Sequence, residues 1–123
     1  QAIVVAIGTN DFMFRDIDKI ERNYEQILSV LPSRCTIVVS SVMPVDENVR
    51  NDLVGRNQLI GELNQRLRLI VAEYTNVVFL DNNSYLDTNS DSLLDSEFHV
   101  GDGVHLNSKG NALWAANIKR LLR

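Results

Sequence analysis

One cysteine and two histidines among 123 residues leave little room for chemistries that need several such side chains. The lone Cys35 excludes an intrachain disulfide framework, and beside an apparent strand it reads as a buried thiol. Basic residues are outnumbered, 12 Lys and Arg against 16 Asp and Glu, and are scattered among the acids. No stripe of positive charge exists to neutralise a phosphate backbone, so nucleic acid is not an expected partner. No apolar run approaches the roughly 20 residues that a membrane-spanning helix needs. The opening QAIVVAIG also lacks the basic start and small-residue cleavage site of a signal peptide, so no membrane partner is expected. Neither an internal repeat nor a low-complexity tract is apparent.

What is present is an alternation of apolar segments. At 45% apolar, the chain fits one globular domain with a modest core. Ala2 to Ile7 is a continuous run rich in β-branched residues, the pattern of a strand buried on both faces, and it ends at Gly8-Thr9-Asn10-Asp11. Asp16 or Asp18 can cap a helix whose Ile17, Ile20, Tyr24, Ile27, Leu28 and Leu31 keep helical spacing until Pro32 stops it. Thr36 to Val42 repeats the strand signal, and Met43-Pro44 leads into a polar loop over 45–52. From Leu53, apolar residues recur at three and four up to Tyr74, which predicts a long amphipathic helix. Asn76 to Leu80 is a third buried strand. The stretch 81–103 reads as an irregular loop with Leu93, Leu94 and Phe98 as its few apolar anchors. A last helix, capped by Asn107 or Ser108, is expected to bury Leu113, Ala116, Ile118, Leu121 and Leu122.

Strands alternating with helices imply parallel pairing, and so a three-layer α/β/α sheet of flavodoxin-like type. Such sheets bind ligands outside the carboxyl ends of their strands. The segments that follow those ends are Gly8 to Phe12, Pro44 to Asp52 and Asp81 to His105.

Two of these segments carry groups suited to acyl transfer, which needs a nucleophile, a base, a group that orients the base, and donors for the oxyanion. In Gly8-Thr9-Asn10-Asp11, an Asn amide just past a buried strand can donate to developing negative charge, and Gly8 permits the sharp turn beneath it. In Asp102-Gly103-Val104-His105-Leu106-Asn107, the three-residue spacing lets a carboxylate meet one imidazole nitrogen while the other faces a substrate.

GxND followed by DxxH, with a helix after DxxH near the end of the chain, resembles blocks III and V of the SGNH (GDSL-type) hydrolases. The strand ending Ser40-Ser41-Val42-Met43-Pro44, with the later Gly55-Arg56-Asn57 and Leu63-Asn64, looks like the acetylhydrolase and carbohydrate-esterase branch of that family. The resemblance covers essentially the whole chain. It implies that Asn10 is an oxyanion donor, His105 the general base and Asp102 its orienting carboxylate, with Gly8 and Asp11 structural near the site. It implies a small ester or an acylated carbohydrate as substrate and no cofactor.

The family's Gly-Asp-Ser motif lies upstream of GxND, and no such motif occurs in these 123 residues. The expectation is therefore the C-terminal portion of a single SGNH-hydrolase domain that lacks its first two strand–helix units. Two such units amount to about 60 residues. On this reading the nucleophile lies upstream, in a segment that was removed, left out of this sequence or supplied as another chain, and this chain alone is inactive.

Plainer readings stand beside these. Asn10-Asp11 fits a strand-end turn whose Asp caps the next helix, and Asp102-Gly103 fits a turn before a helix entered at His105. His99 reads as a solvated loop histidine. Asp81, Asp87, Asp91 and Asp95 lack the ordered spacing of a calcium loop. Asp11, Asp102 and His105 offer one histidine and no cysteine, a poor zinc set, and no metal is expected. Trp114 and Tyr24 fit apolar helix faces. Ser40 and Ser41 lie in or after a strand and outside any nucleophile motif. The competing function is a non-catalytic α/β binding module.

Overall fold

Three short segments, β1 (Ala2–Val5), β2 (Thr36–Ser40) and β3 (Val77–Leu80), form one parallel sheet in the order β1-β2-β3. The pairing is in register, with Val4 opposite Val38 and Val38 opposite Val78. The computed structural model describes residues 1–7 and 16–123. Within them the chain divides into two units, one made of 1–42 with 61–80, the other of 43–60 with 81–123.

The sheet belongs to the first unit. Because β2 has a neighbour on each side, its Ile37, Val38 and Val39 are buried. Among the described residues β1 is paired along one side only, and it departs from the expected double burial. Only Val5 is buried, Ile3 is half-buried, and Val4 is 39% exposed. A strand paired along one side lacks the flanking side chains that cover a central strand, which accounts for the difference. Cys35, just before β2, is a buried free thiol.

Helix α1 (Ile17–Val30) starts where Asp16 accepts a hydrogen bond from the Lys19 amide at 3.0 Å. Its buried residues Ile20, Tyr24 and Leu28 recur every four positions and form a single stripe. Leu31, next to Pro32, is extended at φ −77° and ψ 147°, because proline disfavours helical backbone at the residue before it. Helix α2 (Arg56–Val71) is shorter than its periodicity suggests. Leu53 instead closes a 3₁₀ turn over Asn51–Leu53, where it is fully buried. In the first unit, the Asn64 side chain bridges both backbone groups of Val42, accepting from its N–H at 2.8 Å and donating to its carbonyl at 2.9 Å.

The second unit holds α3 (Asn83–Leu86), a 3₁₀ turn over Ser96–Phe98, and α4 (Ser108–Leu121). Its core is Leu86, Leu94 and Phe98, packed with Met43, Leu106 and Leu113. The polar stretch 81–103 is thus folded around buried anchors, with Leu86 added to those the pattern suggests. Within it the buried Asp95 accepts from the Thr88 N–H and hydroxyl, and Asp87 accepts from the amides of Asp91 and Ser92.

Asn107 caps α4 by accepting from the Gly110 amide at 2.9 Å. The buried stripe of this helix differs from the expected one. Gly110, Asn117 and Ile118 are buried and Leu113 is half-buried, whereas Ala116, Leu121 and Leu122 are exposed. Hydropathy skips Asn117, yet Asn117 takes a stripe position because its amide donates to Asn82 Oδ1 at 2.9 Å, which satisfies both buried groups. Ala116 lies off that stripe, and Leu121 and Leu122 fall in and beyond the last turn. Trp114 is half-buried. Among the described residues, no helix is long and apolar enough to cross a membrane.

Candidate active site

The segment from Phe98 to Asn107 folds back on itself. Phe98 accepts from the Asn107 amide at 2.8 Å, His105 accepts from the Val100 amide at 3.0 Å, and His99 and Leu106 form an antiparallel bridge. Two glycines make the reversal possible, Gly101 at φ +111° and Gly103 at φ +79°. At Gly103 the lack of a side chain is also required by space, since a Cβ there would lie 2.8 Å from the Asp46 carbonyl oxygen and 3.0 Å from Leu53. The Asp46 amide donates to the Gly103 carbonyl at 2.8 Å, so backbone meets backbone directly.

Asp102 stands between the glycines. Its Oδ1 accepts from the amides of Val104 and His105, both at 2.9 Å, and its Oδ2 lies 2.5 Å from His105 Nδ1. Burial works against the charged carboxylate. The Val104 N–H, the His105 imidazole, the His105 N–H and the electrostatic attraction of the nearby ring outweigh it, and together they hold the Asp102 carboxyl well below the usual carboxylate range. A carboxylate can only accept, so Nδ1 carries the proton and the basic lone pair of the ring falls on Nε2. The His105 side chain is 72% exposed and that of Asp102 31% exposed, which leaves this nitrogen open to an incoming group. The arrangement can take a proton at Nε2 while the carboxylate steadies the resulting imidazolium.

His99 is not solvated; it is buried, 8% exposed. Its Nε2 lies 3.0 Å from Asp46 Oδ2, and its Nδ1 accepts from the amides of Gly101 at 3.0 Å and Gly103 at 3.3 Å. With Nδ1 accepting, the ring proton sits on Nε2 and is donated to Asp46. Burial of both partners is therefore compensated by hydrogen bonds on every polar atom of the imidazole. Asp46 lies 53 positions away in sequence, and neither it nor Asn57, which accepts from the Val45 N–H and donates to its carbonyl at 2.8 Å each, is marked by the hydrophobic pattern. The hints in the sequence are that polar residues crowd the loop after β2, where Asp46 lies, and that Asn57 falls in the Gly55-Arg56-Asn57 run of the resemblance.

Of the residues singled out from the sequence, the structure joins Asp102 and His105, whereas Gly8, Asn10 and Asp11 lie outside the described residues. Ser40 and Ser41 are buried. Asp87, Asp91 and Asp95 approach one another, with their nearest carboxylate oxygens within 4.8 Å, while serving their own loop as acceptors.

The model of the GDSL-like lipase/acylhydrolase family matches residues 1–113. The chain belongs to that family. Solved structures share its fold. A protein from Streptococcus pneumonia described as a platelet activating factor superposes with a TM-score of 0.89 at 25% identity, over 100% of this chain and 60% of its own. A lipase/acylhydrolase from Enterococcus faecalis gives 0.80 at 21% identity, over 98% of this chain and 60% of its own. A member of the lipolytic G-D-S-L family from Veillonella parvula gives 0.72 at 20%, over 97% of this chain and 61% of its own. This GDSL-family chain thus spans about 60% of the length of the structures it matches. No curated protein matches it. The parallel α/β architecture of the sheet is that of the family, and the chemistry of the family is hydrolysis of the SGNH type.

Proposed function

We propose that this chain supplies the base, its orienting carboxylate and one oxyanion donor of a serine ester hydrolase that cleaves small acyl esters, including acetyl groups on carbohydrates. His105 is the general base through Nε2, Asp102 orients and stabilises it, and Asn10 donates to the oxyanion. The observation that carries the reading is the Asp102 carboxylate bonded at once to the amide and to the imidazole of His105, within a chain of the GDSL-like family. No Gly-Asp-Ser motif occurs here, and Ser40 and Ser41 are buried, so the nucleophilic serine is assigned to a segment outside these residues. Residues 1–123 alone are accordingly inactive, and together they form the C-terminal portion of one hydrolase domain. In the reaction, the serine hydroxyl gives its proton to His105 as it attacks the acyl carbon, and His105 returns that proton to the leaving alcohol.

The test is turnover of an aryl acetate by the full-length protein and by its His105→Ala variant, with circular dichroism to check folding. Loss of nearly all activity in the variant is expected. Full activity without His105 would remove it as the base, whereas no turnover in the full-length protein itself would leave the non-catalytic module as the better reading.

A further inference from the structure

We infer that His99 and Asp46 are positioning residues that set the reactive geometry of the Asp102–His105 pair, an inference that rests on the reading of His105 as the base. Gly101 and Gly103 flank Asp102 on either side, and both hold positive φ. Glycine has no side chain to bias its backbone, so the conformation of this pair must be imposed by hydrogen bonds from elsewhere. One atom imposes it on both: His99 Nδ1 accepts from the Gly101 and the Gly103 amides. That atom is in turn fixed, because the opposite ring nitrogen is held by Asp46 at 3.0 Å and the ring is buried. Asp46 also grips the loop a second way, through its amide on the Gly103 carbonyl. Asp102 is therefore pinned through the residue before it and the residue after it. Because Asp102 Oδ1 and Oδ2 both bond His105, displacement of Asp102 carries the imidazole with it. The second histidine touches no reacting atom. It works through the first, in the way that groups behind a catalytic ligand orient that ligand.

His99 does two separable things, and two substitutions separate them. In His99→Asn the amide oxygen stands near the place of Nδ1 and can accept from the glycine amides, while the link to Asp46 is lost. In His99→Gln the amide nitrogen stands near the place of Nε2 and can donate to Asp46, while the acceptor for the glycines is lost. The full-length protein and its His99→Asn, His99→Gln and His99→Phe variants are compared by thermal melting, by steady-state hydrolysis of an aryl acetate, and by the proton resonance of His105 Nδ1–H. His99→Gln and His99→Phe are expected to lower kcat about 10- to 100-fold, with KM changed less than about twofold, because a misplaced catalytic group weakens the transition state and not the binding of substrate. The Nδ1–H signal of His105 is expected to broaden into exchange with water in both, and His99→Asn is expected to recover kcat and the signal at least in part. Equal losses in the Asn and Gln variants, tracking melting temperature alone, would reduce His99 to a structural residue and overturn the inference. So would retention of both kcat and the signal in a folded His99→Gln. Where His105→Ala keeps full activity while His99→Gln still loses the resonance, the reading of His105 as the base fails and the positioning geometry stands.

Discussion

Asp102 and His105 are joined twice, the same carboxylate accepting the His105 amide on Oδ1 and meeting its imidazole on Oδ2. The backbone bond fixes where the histidine begins and the side-chain bond fixes where its ring ends, so a spacing of three residues lets one carboxylate hold both ends of the base. What the pair can do for a reaction then depends on which nitrogen is left free, and that is Nε2.

The roles proposed for the site predict a ranking in the full-length protein. His105→Ala should abolish nearly all turnover. Asn10→Ala should lower kcat about 100- to 1000-fold, the usual cost of one lost oxyanion donor. Asp102→Asn should fall between background and wild type, since it removes the orienting charge but leaves the base. Steady-state kinetics separate these roles from binding; a change confined to KM in Asn10→Ala would make Asn10 a substrate contact instead.

The depressed Asp102 carboxyl has a consequence for stability. Its folded-state pKa lies below that of the unfolded chain, so ionised Asp102 favours the folded state at any pH above the unfolded value of about 3.9. That contribution should be lost as pH falls through the lower, folded-state value. Melting temperatures of wild type and Asp102→Asn are therefore expected to differ at about pH 5 to 7 and to converge only as strong acid protonates the folded-state carboxyl. A gap that persists unchanged in strong acid would count against the carboxylate as its source.

Gly103→Ala should be costlier than Gly101→Ala. Both sites have positive φ, with a penalty of about 1–2 kcal/mol for an L-residue. At Gly101 a Cβ meets nothing within 4 Å, whereas at Gly103 it meets the Asp46 carbonyl, Leu53 and Val49, and the carbonyl belongs to backbone that already bonds the same loop. With overpacking added, the loss at Gly103 should reach about 2–4 kcal/mol. Chemical denaturation of the two variants makes the comparison, and equal losses would show that the loop yields.

Asn57→Ala should destabilise by about 1–3 kcal/mol, because the buried Val45 amide loses its acceptor. Asn57→Asp should do no better. It keeps an acceptor for that amide but turns a carboxylate toward the Val45 carbonyl and Glu47, both of which take hydrogen bonds from the Asn57 amide nitrogen. Denaturant midpoints read both effects; a stable Asn57→Asp would mean that solvent or a shifted backbone replaces the lost donor.

The sequence by itself determined the features that depend on neighbours in the chain. β-branched runs alternating with helical periodicity specify parallel strands joined by helices, Pro32 ends α1, Asn107 caps α4, and Asp102 lies close enough to His105 for one carboxylate to bond it twice. Each follows from dihedral preferences, side-chain period or short spacing, all of which are local. Tertiary structure decided the rest. Within the described residues it paired β1 along one side and β2 along both, so Val4 is exposed and Val38 buried, although both strands carry the run Ile-Val-Val. It placed Asn117 in the stripe of α4 because Asn82, 35 positions away, offers it an acceptor. It turned His99 from a loop residue into the anchor of the Asp102–His105 loop because Asp46, 53 positions away, receives its proton. A polar side chain is buried only where a partner offsets the loss of water, and the identity of that partner is fixed when distant segments meet, not by the pattern along either one.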